Sequence, residues 1–144
     1  MNVLVDEFNS SHPGQVDFVA VPTNQFGLQE PGSNEEIPIG LEHVRPGGGF
    51  KAQYKICEKN EVNGATADPL FVWLKVGQKR RSLNFKLSIK SKFPLFCVLQ
   101  AACLAPQRIL GPPGDFYFTP IANDDITWNF EKFLLDQNGK PYRR

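Results

Sequence analysis

Two short segments, far apart in the chain, carry side chains that could hold an anion without being ionised themselves. Residues 24–32 read NQFGLQEPG and include Gln29, and residues 128–130 read WNF. The carboxamides of Gln29 and Asn129 and the indole of Trp128 are hydrogen-bond donors that do not titrate. Each residue taken singly also fits a structural role, because surface glutamines are common and a Trp-Asn pair could belong to an ordinary strand.

The segments around these residues agree with one known family. The agreement runs over DITWNFEKFLL at 125–135, EPGSNEEI at 30–37, VRPGGGF at 44–50, VNG at 62–64 and PLF at 69–71. Together the blocks resemble the glutathione peroxidase family, and residues 44–50 resemble its tetrameric, selenocysteine-type branch. One departure is Thr23, where many members carry cysteine. The resemblance implies a thioredoxin-like α/β fold, a homotetramer and no bound cofactor.

The resemblance also implies a peroxide-reducing site. In the family, a selenocysteine or cysteine attacks a peroxide as its anion, becomes oxidised, and is restored by thiols. Gln29, Trp128 and Asn129 match the family residues that surround this nucleophile. The implied reaction reduces hydrogen peroxide or organic hydroperoxides in response to oxidative stress, with glutathione as the reducing co-substrate.

The nucleophile has no counterpart in the sequence, because Met1 aligns just past the position that carries it. We therefore expect a fragment with little or no peroxidase activity, shortened at both ends. A selenocysteine codon, UGA, read as a stop would explain a start at Met1. Cys57, Cys97 and Cys103 do not match the nucleophile position. The alternative interpretation is a non-catalytic homologue or truncated gene product that acts at most as an interaction module.

Three arginines match basic residues near the family's thiol-substrate entrance: Arg45, Arg143 and Arg144. Guanidinium groups pair well with carboxylates, so these residues would attract the carboxylates of glutathione. Ordinary solvation of the surface is the alternative explanation for the same arginines. The hypothesis assigns glutathione binding to them and leaves both explanations open.

Length and composition fit a single domain. The chain has 144 residues, of which 41% are hydrophobic, and a formal net charge of +1. A chain of this size can bury a substantial core, and its weak net charge gives no overall attraction to nucleic acid. The three cysteines form no Cys-x-x-Cys pattern, which argues against a disulfide framework and against a metal site.

The N-terminal residues predict a cytoplasmic location for the chain as given. Asp6 and Glu7 lie where a signal peptide would have a positive segment followed by an apolar run. The longest apolar stretch, residues 93–105, is interrupted by Gln100 and is too short to cross a bilayer. No membrane partner is therefore predicted. A longer parent with an upstream signal peptide would instead be secreted.

Periodicity and turn residues predict alternating helices and strands, which is the pattern of an α/β domain. Helices are predicted at residues 1–10, 33–44 and 68–75, the second capped by Ser33 or Asn34 and the third by Asp68. Strands are predicted at residues 16–22, 50–58 and 126–135. A hairpin turn is predicted at 136–140, where Asn138 and Gly139 would supply positive φ values.

The middle of the chain differs in charge from the rest. Residues 75–114 contain eight basic and no acidic side chains. We expect residues 76–114 to be an irregular insert within a single domain that spans residues 1–144. The favoured interpretation is a flexible insert, and one alternative is a basic patch for nucleic acid or an acidic membrane surface. A further alternative is a retained intron or gene-model error over residues 76–110, because Lys75-Val76-Gly77 is what an exon end running into an intron donor site would encode.

Overall fold

The computed structural model describes residues 1–79, 96–99 and 113–144, and the side chains of 76–79, 96–99 and 113 lie outside that description. The described elements follow one another in alternating order. They are α1 (Asn2–Ser11), β1 (Phe18–Ala20), α2 (Glu36–His43), β2 (Lys55–Ile56), α3 (Pro69–Lys79), β3 (Phe96–Leu99), a 3-10 turn (Pro113–Asp115), β4 (Lys132–Leu135) and β5 (Pro141–Arg143).

The strands form one mixed sheet in the order β2-β1-β3-β4-β5. β1 runs parallel to both β2 and β3, whereas β4 is antiparallel to β3 and to β5. Parallel strands need long crossover connections, and α2 lies in the one between β1 and β2. The α/β class predicted from the sequence is therefore confirmed.

Local signals explain where α2 and α3 begin. Ser33 Oγ accepts from the backbone N–H of Glu36 at 3.3 Å, and the Glu36 carboxylate accepts from the N–H of Ser33 at 2.7 Å, which is a capping box. Of the two predicted caps, Ser33 therefore caps α2, while Asn34 accepts from the N–H of Lys59. Asp68 caps α3 through the N–H of Leu70 at 2.8 Å, as predicted.

Two apolar clusters lie on the sheet, and residues that are adjacent in a strand belong to different clusters. The smaller cluster joins Val5 of α1 to Phe18 of β1. The larger cluster joins α3 to β4 and to the loops that follow β1. Its buried members are Val21, Phe26, Val62, Phe71, Leu74, Ile126, Phe133 and Leu135. The larger cluster supports the two loops that form the site described below.

The expectation of an irregular insert over residues 76–114 is wrong for two segments. α3 continues past Lys75 to Lys79, and residues 96–99 form β3, the middle strand of the sheet. The physical reason is that FCVL at 96–99 is a continuous uncharged run, which is typical of central strands, whereas the basic residues that motivated the expectation lie outside it. The other residues of the proposed insert, apart from the turn that starts at Pro113, lie outside the described part of the chain.

The strand predicted at residues 16–22 is observed only at Phe18–Ala20, and the other two predicted strands are also longer than the observed ones. Residues 50–58 form a strand only at Lys55–Ile56, and residues 126–135 only at Lys132–Leu135. In the second case Ile126 exchanges hydrogen bonds with the side chain of Asn63, and Phe130 has a φ of 77°, which breaks an extended chain. Long-range polar contacts here override the strand propensity of the sequence.

The predicted hairpin turn forms, but with a different backbone. Gly139 has a φ of 76°, whereas Asn138 is not among the described residues with positive φ. The N–H of Gly139 donates to the carbonyl of Asp136 at 2.8 Å, and the N–H of Asp136 donates to the carbonyl of Lys140 at 2.9 Å. This is a three-residue loop with glycine at the left-handed position, so one positive φ suffices where two were predicted.

Candidate functional site

The first loop of the site follows β1 and is anchored by Phe26. The Phe26 side chain is fully buried, and its backbone forms a bridge with Phe116. Gly27 then takes a φ of 59° and donates its N–H to the carbonyl of Asp115 at 2.8 Å. Leu28 also has a positive φ, at 48°. This reversal turns the chain sharply and leaves Gln29 exposed at the surface beside the loop's buried base.

The second loop lies between the buried Ile126 and β4. Trp128 is half-buried and packs against Phe26, with ring centroids 5.7 Å apart, and against Phe116, at 6.2 Å. A Cβ atom on Gly27 would lie 3.7 Å from the Trp128 ring and 3.5 Å from the Gln29 side chain. Gly27 therefore lies beside both of these side chains, and a side chain at this position would contact each of them.

The two loops meet through a hydrogen bond between carboxamides. Asn129 Nδ2 donates to Gln29 Oε1 at 2.8 Å, although the two residues are 100 positions apart in sequence. The structure thus brings Gln29 and Asn129 into direct contact and places Trp128 beside them. This bond occupies one Gln29 acceptor and one Asn129 donor, so the Gln29 amide N–H groups and the second Asn129 N–H can still donate to a bound anion.

Gln29 and Asn129 also line a cavity of about 650 Å³. Its walls are formed by the end of β1, by α2 and by β2, and they include Arg45. The apolar lining residues are Ala20, Val21, Pro22, Ile37, Leu41, Pro46, Ile56 and Phe130. The cavity combines an apolar wall with a few convergent polar groups, which is the usual composition of a small-molecule site.

Glu30 is the acidic residue of this cavity. Burial raises the pKa of its carboxyl above the ordinary value of 4.5, and the nearby Lys59 ammonium opposes that rise. Lys59 Nζ donates to the backbone carbonyls of Glu30 and Pro31 at 3.2 Å each, and also to that of Gly32. Lys59 thereby fixes the backbone that leaves the first loop.

Of the three arginines predicted to bind glutathione, only Arg45 lines the cavity. Arg144 pairs with Glu131, donates to the carbonyls of Asp124 and Asp125 at 2.9 and 2.7 Å, and lies 5.6 Å from the centre of the Phe133 ring. Arg143 is part of the sheet-edge strand β5 and pairs with Leu134. The structure does not bring these two arginines to the Gln29–Asn129 contact.

Cys57 does not take part in this contact. Cys57 is exposed, follows β2 and is not among the cavity residues. Cys97 lies in β3, and Cys103 is outside the described residues. Within residues 1–79, 96–99 and 113–144, no group of three His, Cys, Asp or Glu side chains is placed to hold a metal ion. In the same part of the chain, no helix is both long and apolar enough to cross a membrane.

Several buried polar residues behind the site escaped the sequence analysis: Gln25, Asn63, Lys75 and Asp125. One signal was available for Lys75, which stands four positions after Phe71 and next to Leu74 on the apolar face of α3. A lysine at such a position is unusual, because buried lysines are nearly always paired. Its partner 50 positions away could not be read from the local sequence.

Comparison with known proteins identifies the class of this fold and site. A family model described as glutathione peroxidase matches residues 2–75. The chain belongs to the glutathione peroxidase family, a family of oxidoreductases with a thioredoxin-like α/β fold that use glutathione as the reductant. The family predicted from the sequence is confirmed.

Individual relatives agree with this assignment. The chain is 35% identical over 144 residues to glutathione peroxidase 6 of Rattus norvegicus, covering all of this chain and 52% of the relative. It is 40% identical over 123 residues to glutathione peroxidase 1 of the same organism, covering 85% of this chain and 51% of the relative. It is also 35% identical over 144 residues to an epididymal secretory glutathione peroxidase of Sus scrofa, covering 53% of that protein. The chain spans about half the length of the curated relatives it matches.

Proposed function

We propose that this chain forms part of an enzyme that reduces hydroperoxides with glutathione, and that Gln29, Trp128 and Asn129 surround the reacting sulfur or selenium. The observation that supports the proposal best is the 2.8 Å contact between Asn129 and Gln29, which joins two loops 100 positions apart in sequence. Both residues match family residues that surround the nucleophile, so the resemblance implied that they lie close together.

The proposed reaction uses the donors of this site to stabilise an anion. A thiolate or selenolate attacks one peroxide oxygen, the O–O bond breaks, and the departing oxygen leaves as water or an alcohol after taking up a proton. The oxidised chalcogen then condenses with one glutathione and loses water, and the thiolate of a second glutathione attacks the bound glutathione sulfur, which forms glutathione disulfide and releases the thiolate or selenolate. Neutral carboxamide and indole N–H groups suit this cycle because they stabilise the anion without titrating.

The cavity beside the pair is the proposed binding site for glutathione. Arg45 is the cationic side chain among its lining residues and would bind a carboxylate of the tripeptide. The positions of Arg143 and Arg144 do not support the same role, because Arg144 is engaged with Glu131 and with backbone carbonyls. We therefore restrict the proposed glutathione contact to Arg45.

We propose that none of the three cysteines is the nucleophile, because none matches the family's nucleophile position and the described Cys57 is not among the cavity residues. The test compares the chain alone with a longer version that carries cysteine or selenocysteine ahead of residue 1. Turnover of hydroperoxide is followed through oxidation of NADPH by glutathione reductase. We expect little or no turnover from the chain alone and clear turnover from the longer version.

Substitutions in the longer version test the roles of the site residues. Gln29→Ala and Asn129→Ala should each lower turnover by about 10²-fold, as is typical when one donor to a developing anion is removed. Gln137→Ala is the matched control, because Gln137 is an exposed glutamine on the distant hairpin. Turnover absent from the longer version would favour the non-catalytic alternative, and turnover of the chain alone that Cys57→Ser abolishes would show that the nucleophile is misassigned.

Oligomeric state and location complete the proposal. The resemblance implies a homotetramer, which sedimentation velocity would distinguish from a monomer. For location, the sequence predicts a cytoplasmic chain, and the alternative is a secreted longer parent, as the name of the Sus scrofa relative suggests for that protein. Detection of the native protein in cell extract or in medium decides between the two.

A further inference from the structure

Lys75 is a buried lysine whose three ammonium protons all have acceptors. Its Nζ donates to the carbonyl of Val62 at 3.1 Å, to Asn63 Oδ1 at 3.2 Å and to Asp125 Oδ1 at 3.1 Å. Only 8% of the residue's surface is exposed. An ammonium group has three donors and no acceptor, so this arrangement satisfies Lys75 completely. The contacts join α3 to residues 62–63 and to the start of the second site loop.

Asn63 holds the second site loop at the same point. Its Nδ2 donates to the carbonyl of Ile126 at 2.7 Å, and its Oδ1 accepts from the N–H of Ile126 at 3.0 Å. Asp125 uses its other carboxylate oxygen to accept from the N–H of Ala122 at 2.7 Å. The backbone of residues 122–126 is therefore fixed by Lys75 and Asn63, and Asn129 follows three residues later.

Gln25 ties the first site loop to the same short segment. Its Oε1 accepts from the N–H groups of Val62 and Asn63 at 2.8 and 2.9 Å, and its Nε2 donates to the carbonyl of Asn63 at 2.9 Å. Gln29 follows four residues later. Both site loops are thus attached by hydrogen bonds to residues 62–63. Lys75 bonds to both of these residues and to Asp125, at the start of the second site loop.

We infer that Lys75 is a positioning residue for the Gln29–Asn129 pair, acting through Asp125 and Asn63; the inference rests on the function proposed for that pair. Stability alone does not account for a lysine here. The neighbouring Phe71 and Leu74 are apolar, and replacing a buried ion pair with apolar residues of similar volume is often neutral or stabilising. A charge with three directed hydrogen bonds, in contrast, fixes the relative position of three segments.

The test measures the position of Asn129 and the stability of the fold separately, in the chain as given. The variants are Lys75→Met and the milder Asp125→Asn, and Asp68→Ala is the matched control because it removes the cap of the same helix without touching the second site loop. The readout is the nuclear Overhauser contact between the side-chain amides of Asn129 and Gln29. Urea unfolding gives the stability of each variant.

We expect Lys75→Met and Asp125→Asn each to remove that contact while the methyl spectrum remains that of a folded protein. Asp68→Ala should lower stability and keep the contact, and Lys75→Arg should retain at least part of it. A contact that persists in folded Lys75→Met would overturn the inference, as would its loss in Asp68→Ala. If Lys75→Met does not fold, Asp125→Asn decides by the same criterion.

Activity provides the second readout, in the longer version described above. Lys75→Met should lower kcat/KM by about 10²-fold, the effect of a displacement near 1 Å, and adding it to Asn129→Ala should cause little further loss. Additive losses would overturn the inference. An inactive longer version would contradict the proposed function only, because the Overhauser contact tests the positioning role without any turnover.

Discussion

Two asparagines join distant segments in the same way but in opposite surroundings. Asn2, at the start of α1, donates to the carbonyl of Lys51 at 2.7 Å and accepts from the N–H of Gln53 at 3.1 Å, in an exposed position. Asn63 exchanges the same pair of bonds with Ile126, but it is fully buried. Each carboxamide donates to one backbone carbonyl and accepts from one backbone N–H, as a neighbouring strand would. The difference is that Asn2 is exposed to water and Asn63 is buried.

The regions around these two residues differ accordingly. α1 is attached mainly by the small apolar cluster of Val5 and Phe18, and water can replace its polar contacts. α3 and the site loops are attached by the large cluster together with a polar network from which water is excluded. A buried polar group left without a partner costs much more than an exposed one, so the second region tolerates fewer relative positions of its parts.

The largest expected difference between the two regions concerns their phenylalanines. Phe26→Ala should lower the free energy of unfolding by about 3–5 kcal/mol, because Phe26 is fully buried against Phe116, Phe118 and Trp128. Phe8→Ala, in the small cluster, should cost about 1–2 kcal/mol, because Phe8 is only half-buried. Urea unfolding measures both losses. Equal losses of unfolding free energy in the two variants would contradict the proposed difference between the two clusters.

The asparagines themselves give the sharpest comparison. Asn63→Ala should lower the free energy of unfolding by about 2–4 kcal/mol, since it leaves one proton of the Lys75 ammonium and the backbone N–H and carbonyl of Ile126 without partners inside the core. Asn2→Ala should cost about 1 kcal/mol or less, because water reaches the groups it leaves behind. Chemical unfolding of the two single variants decides the matter. A loss for Asn2→Ala as large as that for Asn63→Ala would mean that burial is not the deciding factor.

A smaller effect is expected where a polar contact lies at the surface of a helix. Ser33→Ala removes the Oγ that accepts from Glu36 at the start of α2 and should cost about 1 kcal/mol. Ser10→Ala is the control, because Ser10 Oγ donates to the carbonyl of Asp6 within α1, and such bonds contribute little to helix stability. Thermal unfolding monitored by circular dichroism compares them. A larger loss for Ser10→Ala would contradict this ranking.

The smallest expected effect is the pH dependence that arises from Glu30. Burial raises the pKa of Glu30 above its ordinary value of 4.5, so the folded chain binds more protons than the unfolded chain just above that pH. Stability should therefore fall as the pH rises through this window, and Glu30→Gln should remove that part of the slope. Urea unfolding from about pH 4 to about pH 7 measures it. A slope of opposite sign, cancelled by the same substitution, would contradict the assignment.

The sequence was most informative where structure depends on neighbours along the chain. The Asp68 cap and a cap at Ser33 or Asn34 were predicted from local patterns, and the structure has caps at Asp68 and Ser33. The identities of Gln29, Trp128 and Asn129 also came from the sequence, through the family resemblance. Their contact geometry could not, because it depends on side chains that meet only after the sheet has formed.

The wrong predictions concern structure that depends on contacts between residues far apart in the sequence. β3 was missed because strand pairing is non-local, and the charge of the flanking residues says nothing about the partners of residues 96–99. Residues 126–131 were assigned to a strand because their propensity could not reveal the hydrogen bonds from Asn63 to Ile126. Lys75 could have been noticed on an apolar helix face, but only the fold identifies Asp125 as its partner.

Because Lys75 is buried, chemical labelling of its amine would report how often the region around α3 opens. The side chain of Lys55 is 73% exposed, whereas that of Lys75 is 9% exposed and bonded through all its protons. An amine-acylating reagent should reach the exposed Lys55 in the folded protein but reach Lys75 only when α3 separates from Asp125. The ratio of the two labels in a mass spectrum would then report how often this part of the protein opens, without substrate and without any substitution.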